Sequence, residues 1–501
     1  MPNVKNNNTG DEVELRNQDF VVIDKVSYSG WKEWPSINHK DKKIRKNTPK
    51  GTVMVPVKIE LSIQKINPKA PGKFAGSWRG SEPSPGKQNS KILIANLDET
   101  PIIKRVSRSS TTPSSGEEVE VYIELTNIKP LESELDVYLE YQIVDPGNYI
   151  PKNATAYRSS ENWIRVNMMP VKIKAEVTKF SAIIPKEVQK HRRLIRYKVL
   201  VKTRRNFKAY SPDTKHRESN YSYFVNDGQK SFEGVSFKDL SKLQSIELIT
   251  SEDQTNKNIL QGNFQDYRGE GTLVYKGKTY DHIQFRARGK NSRHNKVKRN
   301  LKFSLNNNNP LVPEDDYGTK YNRPRGKVSL SGGWINDCNS HGLTEALIYK
   351  IASLTGGFNK HTDFCQLRII DRPEEDGVDG DFWGVYQVME DWGGTMLAEH
   401  DLPDGNLYTY KKWALSHQGA SGPFGESNDA YTTWNEGVGD SKNGKSTDKR
   451  QDVSLDFILQ HLDLDYYFAD LLLNEITGNG ETNYMGQHSH REYYNPETKK
   501  W

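Results

Sequence analysis

Four positively charged residues lie in two neighbouring strand-like segments of the chain. The stretch from Tyr280 to Leu305 reads YDHIQFRARGKNSRHNKVKRNLKFSL, two alternating segments joined by a polar turn. Successive side chains of a strand point to opposite faces, so one face is apolar and the other is polar. The apolar face carries Ile283, Phe285, Ala287, Leu301, Phe303 and Leu305. The polar face carries Arg286, Arg288, Lys298 and Lys302. Because grouped like charges repel one another, this face predicts a bound anion.

The elements around this hairpin have a mixed helix and strand pattern. Strand-like runs occupy 245–251, 272–289, 365–370 and 381–390. Apolar residues recur at helical spacing over 343–357 and 463–476, and two glycines follow the first of these helices. A stretch over about 414–452 is rich in Gly, Ser, Asn and Lys, which predicts a flexible insertion. We therefore expect an α+β domain from residue 236 to residue 501.

The N-terminal half of the chain has a different pattern. Runs rich in β-branched and aromatic residues lie at 52–63, 91–97, 118–128, 134–144 and 195–203, separated by turn-forming clusters. This pattern predicts an all-β, antiparallel, sandwich-like region of one or two domains over residues 20–235, after a flexible segment of residues 1–19. The chain is thus predicted to be multidomain, as its 501 residues also suggest.

Composition excludes several classes of protein. The net charge of +6 comes from 71 basic and 65 acidic residues, a balance that does not favour a nucleic-acid partner. No apolar run approaches the roughly 20 residues of a membrane helix, so no membrane insertion is expected. Only Cys338 and Cys365 are present, which rules out a disulfide framework and leaves open whether these two pair.

The order of several motifs resembles the kinase-like domain of the spore coat protein CotH and its relatives. The matching segments, roughly from residue 237 onward, are YRGEGTLVYKGKTY, FRARGKNS, KRNLKFSL, WIND, WGVYQVMED, NEITGNGETN and YYNPETKKW. The resemblance implies an atypical protein kinase that uses ATP and Mg²⁺ or Mn²⁺ to phosphorylate proteins.

The resemblance also assigns roles to individual residues. Lys298 and Lys302, with Arg286 and Arg288 nearby, would hold the phosphates of ATP, and Glu390 would orient one of these bases as a glutamate does in protein kinases. The GxG of Gly269 and Gly271 is a weaker phosphate-loop signal, because β-turns use the same glycines.

The catalytic and metal positions depart from the family pattern. Glu481 stands where the family has the aspartate that accepts the proton of the attacking hydroxyl. Where the family has a metal-binding asparagine, this chain offers His488 and Ser489, and histidine is a poor Mg²⁺ ligand. A further acidic metal ligand is expected beyond Trp501, so we expect the sequence to be the N-terminal portion of a longer product.

Two functions remain open from the sequence. The first is transfer of the γ-phosphoryl group of ATP to Ser or Thr of surface or structural proteins. The second is a non-catalytic structural or adhesion role in a virion, spore or cell surface, with protein assembly partners; the glutamate at position 481 favours it. The sequence leaves the localisation open and favours a surface-associated protein, although no secretion signal is present in this chain. Zinc binding by Cys338, His341, His361 and Cys365 is not favoured, because no CxxC or HxxxH pair is present.

Overall fold

The structure is a computed structural model, and the account below concerns the residues that it describes. These are 11–16, 22–28, 45–48, 51–54, 62–65, 78–81, 102–126, 135–173, 177–203, 208–212, 220–228, 243–261, 268–289, 298–306, 309–314, 320–332, 343–355, 359–377, 380–403, 405–411, 414–417, 455–477 and 491–501. Two predicted segments, the strand at 91–97 and most of the insertion at 414–452, lie outside them.

Six short strands come first and form three separate antiparallel pairs. They are β1 (Asp11–Arg16), β2 (Val22–Tyr28), β3 (Arg45–Thr48), β4 (Gly51–Met54), β5 (Ser62–Lys65) and β6 (Trp78–Ser81). Each strand pairs with its neighbour in the chain. Strand β1 falls within the segment of residues 1–19 that was expected to be flexible.

The next nine strands form the predicted sandwich. They are β7 (Ile102–Arg108), β8 (Val119–Thr126), β9 (Leu135–Val144), β10 (Ile164–Asn167), β11 (Met169–Ile173), β12 (Val177–Ile184), β13 (Leu194–Thr203), β14 (Lys208–Ser211) and β15 (Tyr221–Phe224). One sheet has the order β11-β12-β8-β7, and the other contains β10, β9, β13, β14 and β15. Alternate side chains of β8 are buried against residues of β9 and β13, such as Leu139 and Val199. A short helix, α1 (Thr155–Arg158), and a 3-10 turn lie between β9 and β10.

Seven strands of the second half close into a barrel. They are β16 (Gln244–Ile249), β17 (Gly269–Tyr275), β18 (Lys278–Ala287), β19 (Leu301–Ser304), β20 (Lys327–Ser331), β21 (Thr362–Ile370) and β22 (Phe382–Met389). Their order around the barrel is β16-β17-β18-β19-β20-β22-β21. The pairing of β16 with β21 is parallel and closes the barrel, and the other pairings are antiparallel. Helix α2 (Glu252–Thr255), continued by a π turn, lies between β16 and β17.

Helices and a small sheet complete the second half. The helices are α3 (Leu343–Leu354), α4 (Gly394–Glu399), α5 (Leu455–His461) and α6 (Leu464–Thr477). Strands β23 (Asn406–Lys411), β24 (Ala414–His417) and β25 (Arg491–Tyr494) form a sheet of order β24-β23-β25. The described residues are therefore largely antiparallel sheet with few helices, and the helical share is smaller than the predicted α+β class suggests. None of the described helices is long and apolar enough to cross a membrane.

The apolar stripes that predicted two of these helices are not buried. On α3, Leu347 keeps 59% of its surface exposed, and on α6, Phe468 keeps 58%. The spacing of these residues thus predicted helix correctly, but the described residues do not cover this face.

The sandwich and the barrel share a buried interface. An apolar cluster joins Tyr149 and Phe224 of the sandwich to Ile249, Val274 and Ile370 of the barrel. The two regions are therefore packed together through a common core.

Candidate functional site

The cationic hairpin has the two faces that its alternation predicts. Strand β18 pairs with β19 in a register that sets Phe285 opposite Phe303 and Arg286 opposite Lys302. The apolar residues point into the barrel, where both phenylalanines are almost completely buried. Arg286 and Lys302 therefore lie side by side on the outer face of the barrel.

Lys302 forms an ion pair with a carboxylate that the sequence did not single out. Its Nζ donates to both oxygens of Asp391, at 2.9 and 2.7 Å, and Ser329 Oγ lies 3.4 Å from the same carboxylate. Burial lowers the pKa of Lys302, as do the charges of Lys327 and Arg286, and together these effects outweigh the hydrogen bond and charge of Asp391, which act to raise it. The cations thus repel one another around a single carboxylate, which is the electrostatic setting in which an added anion is stabilised.

The other two cations of the hairpin take different partners. Lys298 Nζ donates to the carbonyl oxygen of Val385 and lies 4.8 Å from the centroid of the Tyr386 ring. Burial lowers the pKa of Lys298. Arg288 reaches the sulfur of Met389 at 3.4 Å. Contrary to expectation, Lys298 and Lys302 therefore do not share a partner. Lys298 contacts Val385 within β22, whereas Lys302 contacts Asp391 just after the end of β22.

Glu390 has a different partner from the one predicted. Its side chain is 3% exposed and pairs with Arg325 at 3.1 Å. The other carboxylate oxygen accepts hydrogen bonds from His400 Nε2 at 2.8 Å and from the backbone N–H of His361 at 2.9 Å. Burial acts to raise the pKa of Glu390, but the bond from His400 and the charge of Arg325 hold it below its usual value. The acid that orients a hairpin base is Asp391, one residue later.

The geometry at the end of β22 explains why Asp391, and not Glu390, pairs with Lys302. Met389, the last residue of β22, pairs with both Ser329 of β20 and Thr362 of β21. Consecutive side chains of extended backbone point to opposite sides. Glu390 accordingly reaches Arg325 and His361, and Asp391 reaches Lys302.

His361, Glu390 and His400 are the one group of described residues whose ligand atoms come together as in a metal site, all within 4.8 Å. The two imidazole rings are stacked, with centroids 4.7 Å apart and planes 19° apart. A metal ion lies in the plane of each imidazole that binds it, at about 2.0 Å from the nitrogen, so near-parallel rings cannot share one ion without rotating. Nitrogen ligands also do not suit Mg²⁺. We interpret this group as a structural junction between β21, β22 and α4.

A cleft of about 1080 Å³ opens beside Glu390 and Asp391, which both line it. One wall is the outer face of β17–β20, and another is the segment 390–396 that follows β22. Lys152 and Asn153 of the sandwich region contribute a third wall. Clefts of this size at domain boundaries are typical ligand sites.

The GxG motif is explained by packing. A Cβ atom on Gly269 would lie 2.5 Å from the ring of Phe285, and one on Gly271 would lie 2.9 Å from the carbonyl oxygen of Ile249. Both glycines belong to β17 and permit close packing inside the barrel. They do not form the phosphate loop that the sequence signal resembled.

Of the predicted residues not yet discussed, Cys365 lies within the described part of the chain and the others lie outside it. Glu481, His488 and Ser489 lie outside the described residues, as do Cys338 and His341. Cys365 of β21 is buried in the barrel core. Asp391, Arg325 and Lys327 were not predicted from the sequence. Asp391 directly follows Glu390, and the sequence pattern does not indicate which of these two adjacent acids contacts the lysine.

Comparisons with known proteins bear mainly on the C-terminal region. Residues 285–501 match the family model described as CotH kinase protein. No curated protein matches the chain. The match begins after the first motif, YRGEGTLVYKGKTY, on which part of the predicted resemblance rested.

Similarities to solved structures are distant. An uncharacterised protein of Listeria monocytogenes EGD-e is 11% identical at a TM-score of 0.18, covering 45% of this chain and 18% of its own. The cycloalternan-forming enzyme of Listeria monocytogenes gives 11% identity and a TM-score of 0.18, over 46% of this chain and 19% of its own. The sporulation control protein Spo0M of Bacillus subtilis gives 9% identity and a TM-score of 0.16, over 48% of this chain and 85% of its own.

These structural similarities carry no argument about fold or function, and this chain spans under a fifth of the length of the two Listeria proteins. The family match is independent of them and confirms the resemblance predicted from the motifs. The C-terminal region of this chain, residues 285–501, is therefore similar to the family described as CotH kinase protein.

Proposed function

We propose that this protein is an ATP-dependent protein kinase of the CotH type, acting on Ser or Thr of surface or structural proteins. The observation that carries the proposal is the Lys302–Asp391 ion pair on the cationic outer face of the barrel, within the region of the family match. A lysine fixed by a carboxylate next to a cleft is the arrangement with which kinases hold nucleotide phosphates.

In the proposed reaction the hydroxyl oxygen of a Ser or Thr side chain attacks the γ-phosphorus of ATP, and ADP leaves. Lys302 and Arg286 stabilise charge on the phosphoryl oxygens. Glu481 accepts the proton of the attacking hydroxyl, in the role that the family resemblance implies. Its longer side chain displaces the carboxylate by about one bond length, which can reduce the rate by about a hundredfold, so slow turnover is expected.

The metal requirement is assigned from the family. When bound, Mg²⁺ or Mn²⁺ neutralises phosphate charge. Within the described residues, both acids of the cleft segment already have cationic partners, since Asp391 pairs with Lys302 and Glu390 with Arg325. Because they are already paired, these two carboxylates do not fit a metal site. We therefore keep His488 and Ser489, the ligands that the family resemblance implies, as the proposed metal ligands.

The test combines nucleotide binding with phosphoryl transfer. The chain would be incubated with γ-labelled ATP and Mg²⁺ or Mn²⁺, alone and with casein as a general Ser/Thr acceptor, and its melting temperature measured with and without nucleotide. Lys302→Met should abolish both the label and the nucleotide-induced rise in melting temperature. Lys104→Met, an exposed lysine on β7 of the sandwich, serves as the matched control.

The outcome separates the two functions left open by the sequence. Label on the chain or on casein that requires Lys302 supports the kinase. Absence of transfer, together with no nucleotide-induced change in melting temperature, would contradict it and favour the non-catalytic structural or adhesion role.

A further inference from the structure

One wall of the cleft comes from residues that precede the family match. Lys152 and Asn153 belong to the sandwich region, and Arg268 and Glu270 lie at the start of β17, whereas the match begins at residue 285. We infer that the sandwich region is part of the ligand site and that Lys152 and Arg268 contact the phosphates of the bound nucleotide. This inference rests on the proposed kinase function.

The sandwich loop that carries Lys152 is held in place by residues on both sides. The backbone N–H of Lys152 donates to Glu270 Oε1 at 2.7 Å, and the same oxygen lies 2.8 Å from His282 Nδ1. Two residues earlier, the carbonyl oxygen of Ile150 accepts a bond of 2.7 Å from Arg196 Nη1. Because Arg196 is fully buried, this end of the loop is anchored in the interface. The position of Lys152 is therefore set by the fold.

A local distortion of the barrel makes this anchoring possible. The register between β17 and β18 shifts between Gly271 and Leu273, and His282 on the partner strand has a φ of 53°. Bulges of this kind redirect side chains and are common next to functional sites. Here both ring nitrogens of His282 are used, one towards Glu270 and the other towards Asn220 Oδ1 of the sandwich at 3.0 Å. The distortion therefore links the sandwich directly to the cleft wall.

The charges of the cleft favour an anionic ligand. Its three acids, Glu270, Glu390 and Asp391, are each satisfied within the protein by the contacts described above. The cations that line it are Lys152, Arg268, Arg325 and Lys327. Of these, Arg325 is used by Glu390, and the side-chain bond of Arg268 goes to the neutral amide oxygen of Gln284 at 3.1 Å. The cationic residues that line the cleft outnumber the acidic ones, and this net positive charge suits the several negative charges of a triphosphate.

The experiment measures binding to the full chain by calorimetry. The ligands are ATP with Mg²⁺ and, as a probe without phosphates, adenosine. Lys152→Glu and Arg268→Glu should each raise the Kd for ATP by about tenfold, since each exchanges one attraction for a repulsion. The Kd for adenosine should not change. Lys104→Glu reverses an exposed charge on the sandwich that does not line the cleft, and it should bind ATP as the wild type does.

The results test separately whether the protein binds ATP and whether the sandwich region contributes to that binding. If the wild type binds ATP and both cleft variants bind it equally well, the contribution of the sandwich is refuted while the proposed function stands. If the variants lose adenosine and ATP binding to the same extent, these residues support the fold and do not contact phosphates. If the wild type binds no ATP, both the proposed function and this inference fail.

Discussion

Arg196 of the sandwich and Asp281 of the barrel form a doubly hydrogen-bonded ion pair in the interface between the two regions. The Nε–Oδ2 and Nη2–Oδ1 distances are 2.7 and 3.0 Å, and the side chains are 0% and 2% exposed. Asp281 also accepts bonds from Thr272 and Asn220. Burial acts to raise the pKa of Asp281, but the charges of Arg196 and His282 and the hydrogen bonds from Arg196 and Thr272 together outweigh burial and hold the pKa well below its usual value. The pair ties the sandwich to the barrel.

Removing one member of this pair should destabilise the whole protein. Arg196→Met leaves Asp281 as an uncompensated buried charge, and we expect a loss of about 3–5 kcal/mol in the free energy of unfolding, measured by denaturant titration. The control is Arg165→Met, because Arg165 pairs with Glu140 at a position where the arginine is 46% exposed. Exposed pairs contribute at most about 1 kcal/mol. Similar losses for the two variants would contradict the central role of the interface pair.

Substitution of Glu390 should mainly lower the stability of the protein, whereas substitution of Lys302 should mainly lower its affinity for ATP. Glu390→Ala removes the carboxylate that Arg325 and His400 share, so the free energy of unfolding should fall by about 3–5 kcal/mol. Lys302→Met affects a partly exposed pair, so its loss of stability should stay near 1 kcal/mol or below. ATP affinity should fall at least about tenfold in Lys302→Met. A large loss of ATP affinity in a stably folded Glu390→Ala protein would restore the role first predicted for Glu390.

Asp391 should act by orienting Lys302. In Asp391→Asn the amine loses its charged partner, so phosphate can still bind but the lysine is no longer fixed. We expect kcat for phosphoryl transfer to fall by about a hundredfold, with little increase in KM. Asp376→Asn makes the same change of charge at an exposed turn and should leave both constants unaltered. A rise in KM without a change in kcat would show that Asp391 contributes to binding alone.

His361 should titrate below the usual value for histidine. Burial lowers its pKa, and the charges of His400 and Arg325 act in the same direction, although Glu390 opposes them. Between the folded-state pKa and about 6.5 the unfolded chain binds more protons, so stability should fall as the pH drops through this window. An NMR titration of the imidazole, assigned with His361→Gln, should give a midpoint below about 6.5. A midpoint at or above that value would contradict this expectation.

Local pattern was sufficient for much of the fold. Period-2 alternation predicted which residues of the hairpin enter the core, and Ile283, Phe285, Leu301 and Phe303 are all buried. Runs of β-branched residues located β8, β9 and β13 of the sandwich but not its other strands, and helical spacing located α3 and α6. These features depend on neighbours in the sequence, and the order of the motifs was enough to indicate the family.

Contacts between distant residues were decided only by the tertiary structure. The Lys302–Asp391 and Arg196–Asp281 bonds join residues 89 and 85 positions apart. Which of two adjacent acids meets the lysine depends on the direction in which β22 ends, and the place of Lys152 in the cleft depends on how the sandwich packs against the barrel. The sequence by itself determined the faces of the strands, because a side chain's face follows from its position in the strand. The partners across the cleft followed from strand pairing and domain packing, which no local periodicity encodes.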